Sequence, residues 1–517
     1  MRFHTIALGS GLLSAVAIHA AKNGSPADKA YGVNLGGWLL SEPWMNPKEW
    51  LSMGGKHGLV QKLGQTKANE VFAKHWSTWF TQENVDEIAA ASLNSVRIPL
   101  GYWIVESLVD RSTEFYPRGG MKWLKNGVRM LEAKGIHVLL DHHALPGVST
   151  PNQMFAGRCT SDVQFYTEKN YRRALIWAGV MTILSHVDPD FGTVFAIEAV
   201  NEPIMDASKT TGYGDYQKRF VKLVRVIELG LGIRCDDADY SKLFNGDAYT
   251  NAVDLGLVAI AQHLADLVLT DVLITCVSFM FTIQVDLNLS LNVNLRRAIS
   301  VNVDFDPSVI DGVDLKLGEV AKGHGAGRGP MGANGPILAR RFSPALESTV
   351  PHGSGLERHS AKRRLHHDRG ISISLGQCYN NPPNPADAAI GPQLYDAHLF
   401  FSFGGVADPN AELYLKVICN TDRVTSARAV GNSPLVFGEW SLATNFNASR
   451  EFMHDWADAQ RHIYAGQADV IIGFVPETYI DRTYFGALKE GYFGNDPSKL
   501  TNPNVCDKWV ANNTAST

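Results

Sequence analysis

Two short acidic motifs carry the residues best suited to chemistry. Glu202 lies in the string Val-Asn-Glu-Pro and Glu439 in the string Phe-Gly-Glu-Trp, and each motif follows a short apolar run. Such runs predict buried strands, so each glutamate sits at or just past a strand end. Two facing carboxylates can cleave a glycosidic bond, one as acid/base and the other as nucleophile. The sequence predicts Glu202 as the acid/base and Glu439, placed deep by apolar neighbours, as the nucleophile.

A supporting arginine and an asparagine stand close to these motifs. Arg97 lies inside the apolar run 95–100, where an unpaired charge would be costly. We expect it to pair with a buried carboxylate, and Glu439 is the natural candidate; a structural ion pair with another acid is the alternative. Asn201 precedes Glu202, and its amide could bind a sugar 2-hydroxyl, a contact that strengthens in the transition state.

Histidines and tryptophans near predicted strand ends are further candidates for the site. His142 and His143 end the third predicted strand and His398 lies in the sixth, where imidazoles could hold sugar hydroxyls or tune the glutamates. Histidines satisfied within the core are the alternative. Trp38 and Trp440 are predicted by position to stack on sugar rings, although buried tryptophan more often belongs to the core.

Other chemistries find little support in the sequence. The six cysteines are far apart and form no Cys-x-x-Cys pair, and no further ligand spacing accompanies His142 and His143. No Gly-x-Ser-x-Gly elbow or nucleotide fingerprint is present. The formal net charge of -5 gives no basic bias toward nucleic acid or anionic membranes. We therefore expect no metal, no cofactor and no nucleic-acid partner.

The elements that must position these residues alternate between strand-like and helix-like segments. Amphipathic stretches such as residues 122–134 and 216–229 separate the apolar runs. The candidate strands are residues 32–38, 95–100, 136–141, 194–200, 272–276, 397–401, 435–437 and 470–474. Eight strand–helix repeats predict an α/β fold, a (β/α)₈ barrel whose catalytic side chains lie at the strand C-terminal ends.

The first 20 residues are predicted to be a secretory signal peptide. A short polar start is followed by an apolar, Gly/Ala-rich stretch and small residues that could be cleaved. A buried helix of the fold is the alternative. Four Asn-x-Ser/Thr sequons, at Asn23, Asn288, Asn447 and Asn512, fit a secreted surface. The mature protein is expected to be secreted, extracellular or in the cell wall, without a membrane anchor.

The two glutamates are separated by many more residues than the barrel units between them require. They lie 237 residues apart, whereas three barrel units need roughly 93. Much of the surplus falls in residues 282–376, which we predict to be an irregular insertion after the fifth strand, between barrel parts 21–281 and 377–517. Residues 321–370 are rich in Gly, Arg, His and Ser and predict disorder, or sequence foreign to the mature protein. A basic arm that binds polyanions or cell wall is the alternative.

Several strings resemble fungal secreted β-glucanases of glycoside hydrolase family 5, near the exo-β-1,3-glucanase group. They cover about residues 30–275 and 377–515 and occur in the family's order. The strings are residues 32–40 with Glu42-Pro43, residues 96–103, Asp141-His-His-Ala-Leu-Pro-Gly147, Asn201-Glu202-Pro203, Asp396-Ala397-His398 and Gly438-Glu439-Trp440. The resemblance implies the same catalytic pair, with Arg97, His143, Asn201 and His398 around it and Glu42 binding a glucose hydroxyl in the terminal subsite.

The chain departs from the family pattern at two further positions besides the insertion. Phe400 stands where the family has tyrosine, and residues 473–477 of the eighth-strand segment lack the tryptophan that the family carries there. The predicted activity is retaining hydrolysis of β-1,3-glucan by a monomer without cofactors. Endo action, β-1,6 linkage preference and transglycosylation stay open. A non-catalytic glucan-binding wall protein on the same barrel is the alternative of another class.

Overall fold

A computed structural model describes residues 29–42, 45, 56–231, 233, 235, 238–243, 260, 372–376, 384–403, 405–467, 470–474 and 484–510. The chain divides into two units, Met1–Leu287 with Arg363–Thr517, and Asn288–Lys362. The second unit lies wholly outside the described residues. The predicted signal peptide and the candidate strand over residues 272–276 also lie outside them.

Eight parallel strands form a closed barrel in chain order, which confirms the predicted (β/α)₈ fold. The strands are β1 (Ala30–Asn34), β2 (Ser95–Gly101), β3 (His137–Ala144), β4 (Val194–Glu198), β5 (Ser372–Gly376), β6 (Gln393–Leu399), β7 (Leu435–Trp440) and β8 (Val470–Phe474). Pairing of β1 with both β2 and β8 closes the ring. The C-terminal ends of all strands therefore meet at one face, where barrel enzymes build their sites.

The fifth strand corrects the sequence prediction. Ser372–Gly376 pairs with β4 on one side and β6 on the other, so it occupies the place predicted for residues 272–276. The long extra stretch therefore precedes the fifth strand, and the predicted insertion 282–376 includes that strand at its end. A continuous apolar run is the usual mark of a covered parallel strand. The sequence Ser-Ile-Ser-Leu-Gly lacks such a run, so its composition does not predict a strand.

Replacing Asn288–Lys362 by a short Gly/Ser linker is expected to leave a folded barrel, since all eight strands and both glutamates lie outside that unit. Deleting residues 282–376 instead removes β5 and leaves β4 and β6 without their shared neighbour. That variant should fail to fold. Circular dichroism and thermal unfolding of the two variants test this pair of outcomes. Equal, cooperative melting of both would contradict the place of Ser372–Gly376 in the barrel.

Helices surround the barrel in the described parts of the chain. They are α1 (Lys56–Leu63), α2 (Gln65–Trp79), α3 (Gln82–Ala90), α4 (Gly120–Glu132), α5 (Glu168–Val187), α6 (Tyr213–Gly230), α7 (Ala411–Cys419), α8 (Arg423–Ala429), α9 (Arg450–Gln467) and α10 (Tyr484–Lys489). Helices α4 and α6 overlap the two amphipathic stretches singled out in the sequence. None of the helices among these residues is long and apolar enough to span a lipid bilayer.

A disulfide and one exposed sequon fall within the second part of the barrel. Cys419 at the end of α7 is bonded to Cys506 near the C-terminus, a pairing that cysteine spacing could not reveal. Asn447 is exposed on the segment that leads from β7 to α9. The other three sequon asparagines lie outside the described residues. Asn447 therefore lies at the C-terminal face of the barrel, on the segment that follows the strand bearing Glu439.

Candidate active site

The centre of the candidate site is Arg97, a fully buried residue of β2. Its guanidinium reaches side chains on five other strands or just beyond them. The contacts are Nη1 to Glu439 Oε1 at 2.7 Å and Asn34 Oδ1 at 3.1 Å, Nη2 to Asn201 Oδ1 at 2.7 Å and Asp141 Oδ2 at 3.1 Å, and Nε to Glu198 Oε2 at 2.9 Å and Asp396 Oδ2 at 3.8 Å. The predicted contact between Arg97 and Glu439 is thus present, within a larger cluster.

The cluster makes the burial of this charge tolerable. Burial by itself lowers the pKa of Arg97, but the surrounding carboxylates, led by Asp141 and Glu198, outweigh it and raise that pKa well above its usual value. Removing one partner from a buried ion pair leaves a charge without compensation, which is strongly destabilising. Arg97 therefore fixes the positions of the side chains around it, including Glu439.

The two candidate catalytic carboxylates meet at the C-terminal face of the barrel. Glu439 lies in β7, and its side chain is 10% exposed. Glu202 follows β4, and its side chain is 35% exposed. One oxygen of each carboxylate and a nitrogen of His398 all lie within 4.8 Å of one another. Thr150 donates a hydrogen bond to the Glu202 carbonyl oxygen, which anchors the segment that carries Glu202.

His398 of β6 links the two glutamates to a buried aspartate. Its Nδ1 lies 2.8 Å from Glu202 Oε1 and 3.6 Å from Glu439 Oε2, while its Nε2 lies 3.3 Å from Asp396 Oδ2. Asp396 Oδ1 in turn accepts a hydrogen bond of 2.6 Å from the backbone N–H of Gly438. A Cβ at residue 438 would lie 2.1 Å from Asp396 Oδ2, so glycine is required beside the aspartate.

This arrangement favours an ion pair between His398 and Glu202. Burial lowers the pKa of His398, but the charges of Glu439 and Asp396 outweigh it and raise that pKa well above its usual value. Burial raises the pKa of Glu202, but the hydrogen bond and charge of His398 outweigh it and bring that pKa below its usual value. One proton therefore lies on the hydrogen bond between the imidazole and the carboxylate.

His143 and Asn201 form the other side of the cluster. His143 Nδ1 lies 2.5 Å from Asp141 Oδ2, and its Nε2 lies 3.4 Å from the amide nitrogen of Asn201. Burial opposes the charged imidazole, but Asp141 and then Glu439 outweigh it and raise the pKa of His143. Arg97 holds the Asn201 oxygen, so the amide of Asn201 has a fixed orientation. Four of the predicted site residues, Arg97, His143, Asn201 and His398, thus lie together around the glutamates.

Trp38, Trp440 and His142 lie in the core, away from the candidate cleft. Trp38 is 1% exposed, and its indole N–H donates to the Trp76 carbonyl oxygen of α2. Trp440 is buried against Tyr464 of α9. His142 is fully buried and stacks at 3.9 Å on a tryptophan of α5. The predicted sugar-stacking roles of the two tryptophans are therefore corrected.

Trp38 lies beyond the end of β1, whereas for Trp440 and His142 the physical reason is strand alternation. Successive side chains of a strand point to opposite faces, so Glu439 and His143 point inward while their neighbours Trp440 and His142 face the helices. A position near a strand end does not determine whether a side chain points into the barrel or toward the helices.

Glu42 is buried on the segment after β1. Its role in a terminal subsite remains a prediction.

Three buried acids of the cluster were not singled out from the sequence as functional residues. They are Asp141, Glu198 and Asp396, all of which contact Arg97. A detectable signal exists, because each is a lone charged residue within an apolar strand. Asp141 and Asp396 also stand two positions before His143 and His398, which places each pair on the same face of its strand.

Two overlapping groups among the described residues have spacings that could hold a metal ion. They are Glu198 with Asp396 and His398, and Glu202 with His398 and Glu439. His398 contacts Asp396 in the first group and both glutamates in the second, while Arg97 holds Glu198, and these ion pairs account for the close approach. The arrangement suits acid–base and nucleophilic chemistry on its own.

Part of the chain is similar in sequence to known proteins. Residues 60–254 match the family model described as Cellulase (glycosyl hydrolase family 5). A probable glucan endo-1,6-beta-glucosidase B of Aspergillus fumigatus is 36% identical over 211 residues, 40% of this chain and 53% of the relative. A probable glucan 1,3-beta-glucosidase A of the same species is 33% identical over 221 residues, 40% of this chain and 49% of the relative. The chain spans about half the length of the curated relatives it matches.

Solved structures extend the similarity of fold beyond the matched sequence. The rutinosidase of Aspergillus niger is 16% identical, with a TM-score of 0.50 over 90% of this chain and 98% of that one. The structure named AoRut is likewise 16% identical, with a TM-score of 0.51 over 90% and 96% of the two chains. At this identity the likeness concerns the fold alone. The family match, the fungal relatives and the closed barrel together make the chain similar to glycoside hydrolase family 5.

Proposed function

We propose that the protein is a retaining glycosidase that hydrolyses β-glucan, with Glu439 as nucleophile and Glu202 as acid/base. The observation that carries the proposal is the approach of their carboxylate oxygens within 4.8 Å. Retaining glycosidases hold the two carboxyl groups about 5–5.5 Å apart, whereas inverting enzymes need about 6.5–9.5 Å to admit a water. The short separation therefore supports double displacement.

In the first step Glu439 would attack the anomeric carbon while Glu202 protonates the leaving oxygen. Arg97 holds Glu439 Oε1 at 2.7 Å, which leaves the other oxygen, Oε2, to form the bond to carbon. The proton for the leaving group comes from the hydrogen bond between His398 and Glu202, 2.8 Å long. The products are a glycosyl ester on Glu439 and a free sugar hydroxyl.

In the second step Glu202 would act as a base. It removes a proton from water as the water attacks the glycosyl ester, and Glu439 leaves as a carboxylate. The lowered pKa of Glu202, caused by His398, keeps the carboxylate available for this role. The proton that Glu202 takes from water replaces the one given to the leaving oxygen, so the hydrogen bond between Glu202 and His398 regains its proton at the end of the cycle.

Neighbouring polar residues would orient the sugar. Asn201 uses its oxygen on Arg97, and its amide nitrogen lies 3.4 Å from His143 Nε2, so an amide hydrogen is available to a sugar 2-hydroxyl. Glu42 is proposed to bind a glucose hydroxyl in the terminal subsite, as the family resemblance implies. No cofactor enters either step.

The linkage that the enzyme cleaves is a separate part of the proposal. The motif resemblance favours β-1,3-glucan, whereas relatives named endo-1,6-beta-glucosidase are 36% identical, slightly above the 33% of one named 1,3-beta-glucosidase. We propose β-1,6-glucan as the first substrate to test and β-1,3-glucan as the second.

Reducing-sugar release from linear β-1,6-glucan and linear β-1,3-glucan tests the proposal. We expect turnover of at least one polymer, with the β-anomer as the first product by nuclear magnetic resonance. The product lengths distinguish endo from exo action, since exo action releases only glucose at early times. An α-anomer as first product would contradict double displacement, and release from neither glucan by a folded sample would contradict the assigned substrate class.

A non-catalytic glucan-binding protein is the second candidate function. Phe400 motivates it, because the resembled family has a tyrosine hydroxyl there and a phenyl ring cannot donate a hydrogen bond. The Phe400 ring instead lies 5.7 Å from that of Phe403. Glucan binding without turnover, measured on the same sample, would favour this candidate.

Three observations support secretion as part of the proposal. Residues 1–20 are predicted to be a signal peptide, the Cys419–Cys506 disulfide is typical of oxidising compartments, and the Asn447 sequon is exposed. The partner would be an extracellular or wall β-glucan. A monomer suffices for the mechanism, since one chain carries both glutamates.

A further inference from the structure

Glu198 is a fully buried acid that the two-step mechanism does not use. It ends β4, four residues before Glu202. Its Oε2 accepts a hydrogen bond of 2.9 Å from Arg97 Nε. Its Oε1 is buried, and no N–H or O–H of the described residues donates to it. One carboxylate oxygen of Glu198 also lies within 4.8 Å of one of Asp396. Two buried acids therefore face each other.

The charges around this pair do not balance if every acid is ionised. The facing charged groups come from β2, β3, β6 and β7 and from the segment after β4. They are Arg97, Asp141, His143, Asp396, His398, Glu439, Glu202 and Glu198 itself. Five carboxylates thus share one arginine and two histidines. Two adjacent carboxyl groups in such a site cannot both ionise at low cost, so a proton is expected between them.

Hydrogen bonding decides which acid holds the proton. Asp396 accepts from the Gly438 N–H at 2.6 Å and faces His398 Nε2 at 3.3 Å, and both contacts favour its carboxylate form. Glu198 receives a donor only at Oε2. Its unpaired Oε1 is the atom that can carry hydrogen.

We propose that Glu198 is a positioning residue that acts as a neutral acid, with Oε1–H donating to Asp396 and Oε2 accepting from Arg97. Asp396 then keeps its negative charge for His398, and His398 keeps its orientation toward Glu202. The consequence for catalysis rests on the proposed function, whereas the protonation state of Glu198 does not.

The directions of the pKa shifts agree with this geometry. Burial, opposed by Arg97 and reinforced by Asp396 and Asp141, raises the pKa of Glu198 well above that of an ordinary carboxyl group. Burial also raises the pKa of Asp396, but His398 and Arg97 outweigh it and bring that pKa below its usual value. The pKa values of the two neighbouring acids thus shift in opposite directions, which favours the neutral form of Glu198 and the charged form of Asp396.

Glu198→Gln tests the proposal because glutamine copies the neutral acid. Its amide N–H₂ can donate to Asp396 while its oxygen accepts from Arg97. We expect kcat and KM within about threefold of the parent protein and an unchanged melting temperature. Glu198→Met keeps the size but offers neither contact, so kcat should fall by about tenfold or more, with a displaced pH profile.

Glu228→Gln is the matched control, since Glu228 is a buried glutamate of α6 that the structure pairs with Arg225 at 2.5 Å and with His186 at 3.3 Å. Burial raises the pKa of Glu228, but Arg225 and His186 outweigh it and lower that pKa. An ionised buried glutamate should not tolerate the amide. We therefore expect a clear loss of melting temperature in Glu228→Gln and none in Glu198→Gln.

Infrared difference spectra give a readout that needs no activity. At neutral pH the parent protein should show the C=O stretch of a protonated carboxyl group that Glu198→Gln lacks and Glu228→Gln retains. Absence of that band, or destabilisation of Glu198→Gln like that of Glu228→Gln, would overturn the proposal. Failure of the proposed function would appear separately, as a protein that shows the band but releases no sugar. If Glu198→Met does not fold, the spectra and melting temperatures of the two amide variants still decide.

Discussion

Glu439→Gln is expected to abolish hydrolysis of β-glucan almost completely. The amide cannot form the glycosyl ester, so the first step of double displacement is lost. Removal of a covalent nucleophile typically lowers kcat by ~10⁴–10⁶ in well-studied enzymes. The contact of residue 439 with Arg97 can persist through the amide oxygen, so folding should survive. Initial rates on the preferred glucan, with thermal unfolding in parallel, measure both outcomes.

Glu412→Gln provides the control for that measurement. Glu412 is an exposed acid of α7 that forms a surface ion pair with Lys416 across one helical turn, and such pairs contribute little to stability. Its replacement should leave both rate and melting temperature near those of the parent protein. Retention of more than a few per cent of the parent rate by a pure, folded Glu439→Gln sample would remove Glu439 from the nucleophile role.

Glu202→Gln is expected to show a loss of activity that depends on the leaving group. Natural glucans have poor leaving groups that need protonation, so their hydrolysis should fall by several orders of magnitude. An activated aryl glucoside needs no proton to leave, and its glycosylation step should fall far less. The glycosyl ester should then accumulate, because water lacks its base. Burst kinetics and mass spectrometry of the trapped ester measure this difference.

The contrast between the two glutamates is the sharper test of their roles. Added azide, which needs no general base, should speed turnover of the aryl glucoside by Glu202→Gln but not by Glu439→Gln. Equal losses on activated and natural substrates, with no rescue by azide, would show that the acid/base assignment to Glu202 is wrong. A protein that loses its fold in either variant would be recognised by its melting curve.

The sequence allowed the barrel to be predicted because most strands carry a strong local signal. Apolar runs such as that of β3 are required where helices cover a parallel sheet, and they remain visible in a single sequence. The ends of the strands were predicted less accurately than their existence. Strand β6, for example, begins at Gln393, four residues before the predicted start. Strand β5 was misplaced because its only large apolar residues are Ile373 and Leu375, so its pairing with β4 and β6 identifies it where its composition does not.

The candidate site could be predicted where a residue type was costly without a partner. A charge in an apolar strand led to Arg97 and its contact with Glu439, because burial demands an opposite charge. Trp440 is the opposite case. Tryptophan is stable both in a cleft and in a core, so the residue type alone does not predict which of the two it occupies. The role proposed for Glu198 could be inferred only from the three-dimensional structure. Its place beside Asp396 joins strands 198 residues apart in the chain.

The Cys419–Cys506 bridge has a consequence for how the barrel opens. A closed barrel must part along some seam when it fluctuates, and the pairing of β1 with β8 joins the two ends of the strand order. The bridge closes a covalent loop over a separation of 87 residues, which contains β7, β8 and therefore Glu439. In the chain-entropy account, a loop of this size removes about 4–5 kcal/mol of freedom from the denatured ensemble. The same covalent loop keeps a detached β8 close to β1 and β7, which favours its return to the barrel.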